Sequence, residues 1–401
     1  MERNVDVAII GAGTAGLSAM SQVRQAKKDF VLINGGELGT TCARVGCMPS
    51  KALIQVAHDL HRREIFEREG IEGGAGLSVN LPDALEHVRD LRDILVDRVL
   101  ANSTDQMGET FIDGYARFVD PGILQVGQEI IHAKSIVIAT GTRPLVPDEW
   151  VDFGEHIITS DTIFEMEDLP QSIAVVGLGI IGLEIGQALS HLGVSVTGVD
   201  QLETIAGLND PSASQSAIEL MNRTFPVWLG HQARLTSEGS QIRVSAGEHS
   251  VVVDKVLAAM GRRSNVDWLS IENAGVDLNE AGLPVFDSNT MQCGESRVFI
   301  AGDITASNPV LHEATDEGRI AGYNAARQNS TAFKRKTPFA ITFTSPNICT
   351  IGAAFKSLDP GTIEIGEMRL GPVGRALIMG VNRGIIRIYV DKSTGILKGA
   401  T

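Results

Sequence analysis

Residues 39–51 read GTTCARVGCMPSK, so Cys42 and Cys47 flank four residues and a lysine, Lys51, follows within one helical turn of Cys47. Two cysteines this close, about a turn apart on a helix, can meet the geometry of a disulfide. A nearby ammonium lowers a thiolate's pKa and stabilises negative charge on a reduced cofactor. Three other readings compete: buried unreactive thiols, half of a zinc site, and a structural staple. Zinc needs a second Cys/His cluster, and Cys293 and Cys349 stand alone. A staple closing so small a loop stabilises little. The redox reading is therefore adopted, with Cys293 and Cys349 taken as structural and reduced. Glu184, further along, is either a helix acid favoured by the dipole or the group that orients Lys51.

Two glycine turns flank this chemistry. Gly11-Ala-Gly13-Thr14-Ala15-Gly16 follows the apolar run Val5 to Ile10 and opens a helical stretch through Leu17, Met20 and Val23. Gly177-Leu-Gly179-Ile180-Ile181-Gly182 follows Ile173-Ala-Val-Val176 and opens a second, through Ile185, Leu189 and Leu192. Each turn suits a strand–turn–helix unit whose backbone amides approach a pyrophosphate at a helix N-terminus. In each, the polar residue ending the next strand lies 23 positions beyond the first glycine, Asn34 in one and Asp200 in the other. Asp200 is placed to bond the ribose hydroxyls of NAD and repel a 2′-phosphate, and Gln201-Leu-Glu203 supplies no arginine for one. NADH is thus favoured over NADPH. Asn34 stands where an acid is more usual, though its amide can still bond a ribose.

The elements that must position these groups follow from periodicity. Leu81 to Val99 carries apolar residues at helical spacing between charges and is read as a structural helix. Residues 122–138 alternate as a small antiparallel sheet and lead to Thr140-Gly141-Thr142. Val256 to Gly261 is a matching strand and turn. Phe299-Ile-Ala-Gly302-Asp303 is a buried strand ending where a carboxylate could meet a cofactor hydroxyl. After Pro338, strand-like runs cover 340–343, 348–351, 376–381 and 385–390.

Composition narrows the class. A chain of 401 residues with 43 glycines and 43% hydrophobic residues suits a compact α/β enzyme of two or three domains. The net charge of −15 argues against nucleic acid or an anionic membrane surface as partner. No apolar run is long enough to span a bilayer, and the first residues enter a strand rather than a leader. Four cysteines suit a cytoplasmic protein better than a secreted disulfide scaffold.

With these segments in order, GAGTAG, TCARVGCMPSK, ATGTRP (139–144), GLGIIGLE, MGRRSN (260–265) and FIAGDIT (299–305), the chain resembles the flavoprotein disulfide reductases, and among them most closely the dihydrolipoamide dehydrogenases. The resemblance runs along nearly the whole chain. It implies FAD on the first glycine unit and NAD on the second. It implies that Cys42 is the thiol that meets substrate and Cys47 the thiol beside the flavin. It makes Lys51 and Glu184 an ion pair next to the flavin and Asp303 a ligand of the flavin chain. The helix entered through His312-Glu-Ala314 would present its N-terminus to the ring, favouring the anionic reduced form. Gly39, Thr40, Thr41, Thr140, Gly141, Gly261 and Gly302 complete the expected cofactor contacts. Departures exist. Ala43-Arg44-Val45 replaces the family's usual Leu-Asn-Val or Val-Asn-Val, while Pro49-Ser50-Lys51 leans toward the lipoamide enzymes.

The fold expected is α/β, with two Rossmann-like dinucleotide-binding domains, for FAD and for NAD, and an incomplete α+β interface domain. The boundaries expected are 1–147 (FAD, first part), 148–263 (NAD), 264–336 (returning to the FAD domain) and 337–401 (partial interface domain). None of the nine histidines precedes a proline, so the family's closing His-Pro and Glu acid–base pair is missing, the chain is expected to be shortened at its C-terminus, and it is expected to pass electrons from NADH to flavin and cysteines yet turn over lipoamide poorly. The expected substrate is dihydrolipoamide or another small disulfide. A homodimer serving a 2-oxo acid dehydrogenase complex would be the setting. Rival readings are a reductase of another disulfide or of mercuric ion, and a redox-sensing flavoprotein that acts by binding.

Overall fold

The computed structural model describes residues 2–401. Its α-helices, in chain order, are α1 (Thr14–Gln25), α2 (Thr41–Arg44), α3 (Cys47–His61), α4 (Leu81–Ala101), α5 (Ile180–His191), α6 (Pro211–Met221), α7 (Leu311–Ala325) and α8 (Gly374–Ile378). The chain divides into two compact units. One takes residues up to Met48, Arg92–Arg143 and Arg262–Lys336; the other takes Pro49–Leu91, Pro144–Gly261 and Thr337–Thr401.

In the first unit, Glu2–Ile10 pairs in parallel with Phe30–Asn34 on one side and Glu129–Ile138 on the other. Phe111–Asp113 extends the sheet beyond Phe30–Asn34, while Ile123–Val126 and Ala116–Asp120 extend it as an antiparallel meander. Val298–Ile300 joins Glu129–Ile138 in parallel. Both faces of the central strands are covered, which is why the run Val7 to Ile10 is continuously apolar. Val7, Ile9 and Leu32 face Ala15, Ala19 and Ala321 of α1 and α7, whereas Ala8, Ile10 and Ile33 face Phe118, Leu124 and Ile131. α1 and α7 meet backbone to backbone. A Cβ at Gly318 would come within 2.2 Å of the Ala15 carbonyl oxygen, and one at Gly322 within 2.3 Å of that of Ala19.

The second unit holds a parallel sheet in the order Val227–Trp228, Ser195–Val199, Ser172–Val176, Lys255–Ala258, Ile157–Ile158. One face buries Ile173 and Val175 with Leu183 and Leu189 of α5, Leu53 and Ala57 of α3, and Leu85 and Val88 of α4. This core is what draws residues 49–91, grouped by sequence with the first 147, into the second unit. The other face packs on an antiparallel three-stranded sheet, Arg234–Glu238, Gln241–Ala246 and His249–Val253.

Residues 337–401 form an antiparallel sheet ordered Phe339–Thr342, Ile348–Gly352, Leu397–Ala400, Ile385–Asp391, Ile363–Arg369. Asp210 ties this sheet to α6. Its Oδ1 accepts the Ser212 and Ala213 amides at the helix start, and its Oδ2 accepts the Tyr389 hydroxyl and Arg387 Nε, each at 2.7 Å. Tyr389 is fully buried, and burial, with Asp210 beside it, pushes its phenol up to about 12.

Three local expectations change. Residues 376–381, read as a strand, include the end of α8, because a short apolar run with exposed side chains does not distinguish the two states. The strands Ile363–Arg369 and Leu397–Ala400 fall outside the expected runs, because Ile363 and Ile365 alternate only briefly and Leu397 stands beside lysine and glycine. Finally, Cys42 and Cys47 do not share a helix: α2 ends at Arg44, and α3 begins at Cys47 itself. Pro49 thereby sits in the first turn, where its missing N–H leaves no helical bond unmade. Among the described residues, no helix is long and apolar enough to cross a membrane.

Candidate active site

The cysteine loop is built by its glycines. Gly39 has φ +105, and a Cβ there would meet Val96 Cγ1 at 2.7 Å. Thr40, at φ +66, caps α2 by accepting the Ala43 amide on Oγ1, and Thr41 opens the helix. A Cβ at Gly46 would approach the Thr41 carbonyl oxygen to 2.9 Å and Cys42 Cα to 3.3 Å. The Gly46 turn is therefore packed on the backbone of Cys42 and leads directly into Cys47, and both cysteines are half-buried. At the departures from the family pattern, Ala43 and Val45 are buried, and Arg44 pairs with Glu37 through one terminal nitrogen while its buried Nε makes no hydrogen bond among the described residues.

Lys51, one turn after Cys47 along α3, donates from Nζ to Glu184 Oε2 at 2.7 Å. The pair joins residues 133 apart in sequence. Glu184 is 3% exposed, and its Oε1 accepts the Phe343 amide at 2.9 Å. Lys51 Nζ also stands 4.7 Å from the centre of the Phe343 ring. One turn on, Gln187 accepts the Ser345 amide at 2.6 Å and donates to the Ser345 carbonyl at 3.3 Å. Sequence reasoning missed Gln187. Its spacing from Glu184 was visible, but that both side chains point inward at residues 343–345 was not.

The two glycine turns have the same geometry. Gly11 has φ +109 and would press a Cβ to 2.2 Å from the Ala139 carbonyl oxygen; Gly177 has φ +96 and would press one to 2.4 Å from that of Ala259. Gly16 and Gly182 abut the Gly11 and Gly177 carbonyls, leaving room for no side chain. By contrast, a Cβ at Gly13 or Gly179 would meet nothing within 4 Å. Those glycines are the N-caps of α1 and α5, and neither helix has a side-chain cap. Thr14 and Ala15 begin α1, and Ile180 and Ile181 begin α5. Each turn is thus an open cradle of amides at the positive end of a helix, the shape a dinucleotide pyrophosphate needs.

The strand-end residues close these cradles. Asn34 Oδ1 accepts the Ala12 amide at 3.0 Å, and Asp200 Oδ2 accepts the Leu178 amide at 2.6 Å. Asn34 tolerates the absence of charge because its Nδ2 donates to the Gly36 carbonyl at 3.0 Å. Asp200 uses its second oxygen to accept the Leu202 amide at 2.9 Å.

Further groups line the first unit. Thr140 donates to the Asn265 carbonyl at 2.7 Å, Asn265 Nδ2 returns a bond to the Thr140 carbonyl at 2.9 Å, and the Asn265 amide reaches the Gly141 carbonyl at 3.0 Å. Asn265 is a staple that sequence reasoning did not single out, although it closes the MGRRSN segment. Burial raises the Asp303 carboxyl above the usual range, partly offset by Arg262 and Thr142. Ala314 is buried in the first turn of α7, a helix without a side-chain cap at Val310. In the second unit, Gly261 has φ +127, and its carbonyl accepts the Leu145 amide at 3.0 Å.

A family model described as pyridine nucleotide-disulphide oxidoreductase matches residues 5–329. Dihydrolipoyl dehydrogenase 3 of Haloarcula marismortui is 29% identical over 427 residues, covering 99% of this chain and 86% of that one. The mercuric reductase of Staphylococcus aureus is 28% identical, covering 98% of this chain and 73% of the relative. Among solved structures, the HOCl-induced flavoprotein disulfide reductase RclA from Escherichia coli, as its Cu(II) complex, superposes with a TM-score of 0.85 at 23% identity, covering 99% of this chain and 89% of that one. That last likeness is one of fold.

Proposed function

This chain belongs to the pyridine nucleotide-disulphide oxidoreductase family, and from that membership we propose that it is an FAD-dependent, NAD-linked enzyme exchanging electrons with a small dithiol or disulfide, lipoamide first among the candidates. The observation that carries the reading is the Gly46 turn, packed on Cys42 and leading into Cys47, in a chain that also builds two open dinucleotide cradles. The first unit would bind FAD through Gly11, Gly13, Thr14, Ala15, Gly16, Asn34, Thr140, Gly141, Gly302, Asp303 and Ala314. Residues 148–263 would bind NAD through Gly177 to Gly182, Asp200 and Gly261. The fixed charge of Asp200 favours NAD over a coenzyme carrying a 2′-phosphate. Bound FAD would supply a two-electron relay between thiols and nicotinamide.

The chain's own residues carry the thiol chemistry. A substrate thiolate attacks Cys42 Sγ of the oxidised pair, the Sγ–Sγ bond breaks, and Cys47 leaves as a thiolate. The second substrate thiol displaces Cys42 from the mixed disulfide, so the substrate leaves oxidised and the pair holds two electrons. Lys51, oriented by Glu184, supplies positive charge that stabilises the anionic stages. The setting proposed is a cytoplasmic homodimer serving a 2-oxo acid dehydrogenase complex, with residues 337–401 in the subunit interface.

A second reading, reduction of mercuric ion, is favoured by the comparable identity to mercuric reductases. Steady-state oxidation of NADH with lipoamide, glutathione disulfide and mercuric ion decides among them. Cys47→Ser should abolish disulfide turnover while NADH still bleaches the flavin. Undiminished lipoamide turnover in that variant, made in a version extended through the family's closing acid–base pair, would sink the proposal.

A further inference from the structure

Glu317, on α7, is 4% exposed and takes no part in the thiol chemistry. Its Oε2 accepts the Gly302 amide at 2.9 Å, and its Oε1 lies 3.4 Å from Arg335 Nη2. Arg335 also reaches Glu313 at 2.5 Å and Asp316 at 3.6 Å, and Lys336 meets Asp316 at 3.1 Å. A carboxylate this enclosed is unfavourable unless it is paired and hydrogen-bonded. Burial does raise its carboxyl above the usual range.

What the fold gains is a fixed turn. Gly302 has φ +83, and a Cβ there would meet the Ala15 Cβ at 2.8 Å. Gly318, the neighbour of Glu317, is pressed against Ala15 from the other side, its Cβ position 2.2 Å from the carbonyl oxygen. The first glycine turn, the Gly302 turn and α7 therefore converge on Ala15. Glu317 fixes the Ala301–Gly302 peptide, one residue ahead of Asp303.

We infer that Glu317 is a positioning residue for the flavin: by accepting the Gly302 amide it aims Asp303 at the flavin chain, with Arg335 holding its carboxylate in place. The inference rests on the FAD reading above. Glu317 acts through Asp303 and touches no cofactor itself.

The test titrates apo-protein with FAD, and separately with ADP, in wild type, Glu317→Ala, Glu317→Gln, Asp303→Asn and the Glu317→Ala/Asp303→Asn double variant. ADP lacks the chain assigned to Asp303. A buried hydrogen bond to a charged acceptor sets the expected loss of FAD affinity in Glu317→Ala at roughly 10- to 100-fold. Glu317→Gln keeps one oxygen for the Gly302 amide and should recover much of that loss. The double variant should lose no more than the worse single variant, and ADP affinity should stay within about twofold throughout. Additive losses, equal weakening of ADP, or FAD affinity in Glu317→Ala within about threefold of wild type would overturn the positioning role. Wild-type protein that fails to take up FAD would overturn the flavin reading, and this inference with it. Thermal melting of the apo-proteins separates misfolding from either result, and Glu317→Gln carries the test if Glu317→Ala does not fold.

Discussion

Glu184→Gln is the substitution that most directly tests how Lys51 is held. Glu184 accepts two bonds on two oxygens, from the Phe343 amide at 2.9 Å and from Lys51 Nζ at 2.7 Å, while 3% exposed. Glutamine has the same shape but one acceptor. If its oxygen stays on Phe343, its amide group faces the Lys51 ammonium; if it flips, that group faces the Phe343 N–H. Either rotamer sets a donor against a donor, and one buried donor left unmade costs about 1–3 kcal/mol. Loss of the charge adds less than about 1 kcal/mol, because Lys51 is one-third exposed and solvent screens it. The expected cost is about 2–3 kcal/mol, and added salt should not reproduce it in wild type, since the carboxylate is enclosed. Because the molecule has two units, a global melt need not be two-state. Hydrogen exchange at the Phe343 amide reads the site locally, and its protection should fall by roughly 30- to 150-fold if the bond limits local opening. Protection at Phe343 unchanged in Glu184→Gln, with the unfolding midpoint of the second unit also unmoved, would refute the two-acceptor argument.

Other outcomes follow from the same geometry. His191 stacks on His61 with ring centres 3.7 Å apart, and burial, then the charges of His61 and His58, lower its pKa to about 4. The unfolded chain takes up this proton near pH 6.5 and the folded one near 4, so stability is full above about 6.5 and falls as pH drops between them, by at most roughly 3 kcal/mol. His191→Leu should flatten that part of a pH–stability curve; an unchanged slope counts against the assignment. Gly179→Ala and Gly177→Ala should separate binding from folding. The first fills open space and should weaken NADH binding at unchanged melting temperature, whereas the second forces a Cβ to 2.4 Å from the Ala259 oxygen and should lower the melting temperature itself. Equal effects of the two on melting would contradict this. Tyr389→Phe deprives the buried Asp210 carboxylate of one donor at 2.7 Å and should destabilise the C-terminal sheet by about 1–3 kcal/mol, read as faster limited proteolysis after residue 337. Proteolysis at the wild-type rate would show that Arg387 alone suffices.

The sequence alone determined the parts of this protein whose physics is local. Gly11 and Gly177 stand where φ is positive and a neighbouring carbonyl leaves no room for a Cβ, so residue type and spacing report the turn directly. Asn34 and Asp200 are legible for the same reason: a strand of fixed rise returns its end to the turn it must close. The cysteine segment was legible in composition, but not the break between α2 and α3, which depends on the contact of Gly46 with Cys42. Tertiary structure alone decided that Gln187 would hold Ser345, that Asn265 would staple Thr140, and that the apolar run at 376–381 would begin in a helix rather than pair as a strand. It also settled the Lys51–Glu184 contact, which motif resemblance suggested and no local rule required. Each of these joins segments brought together by sheet order and core packing, and one-dimensional periodicity records which residues are buried without recording what they are buried against.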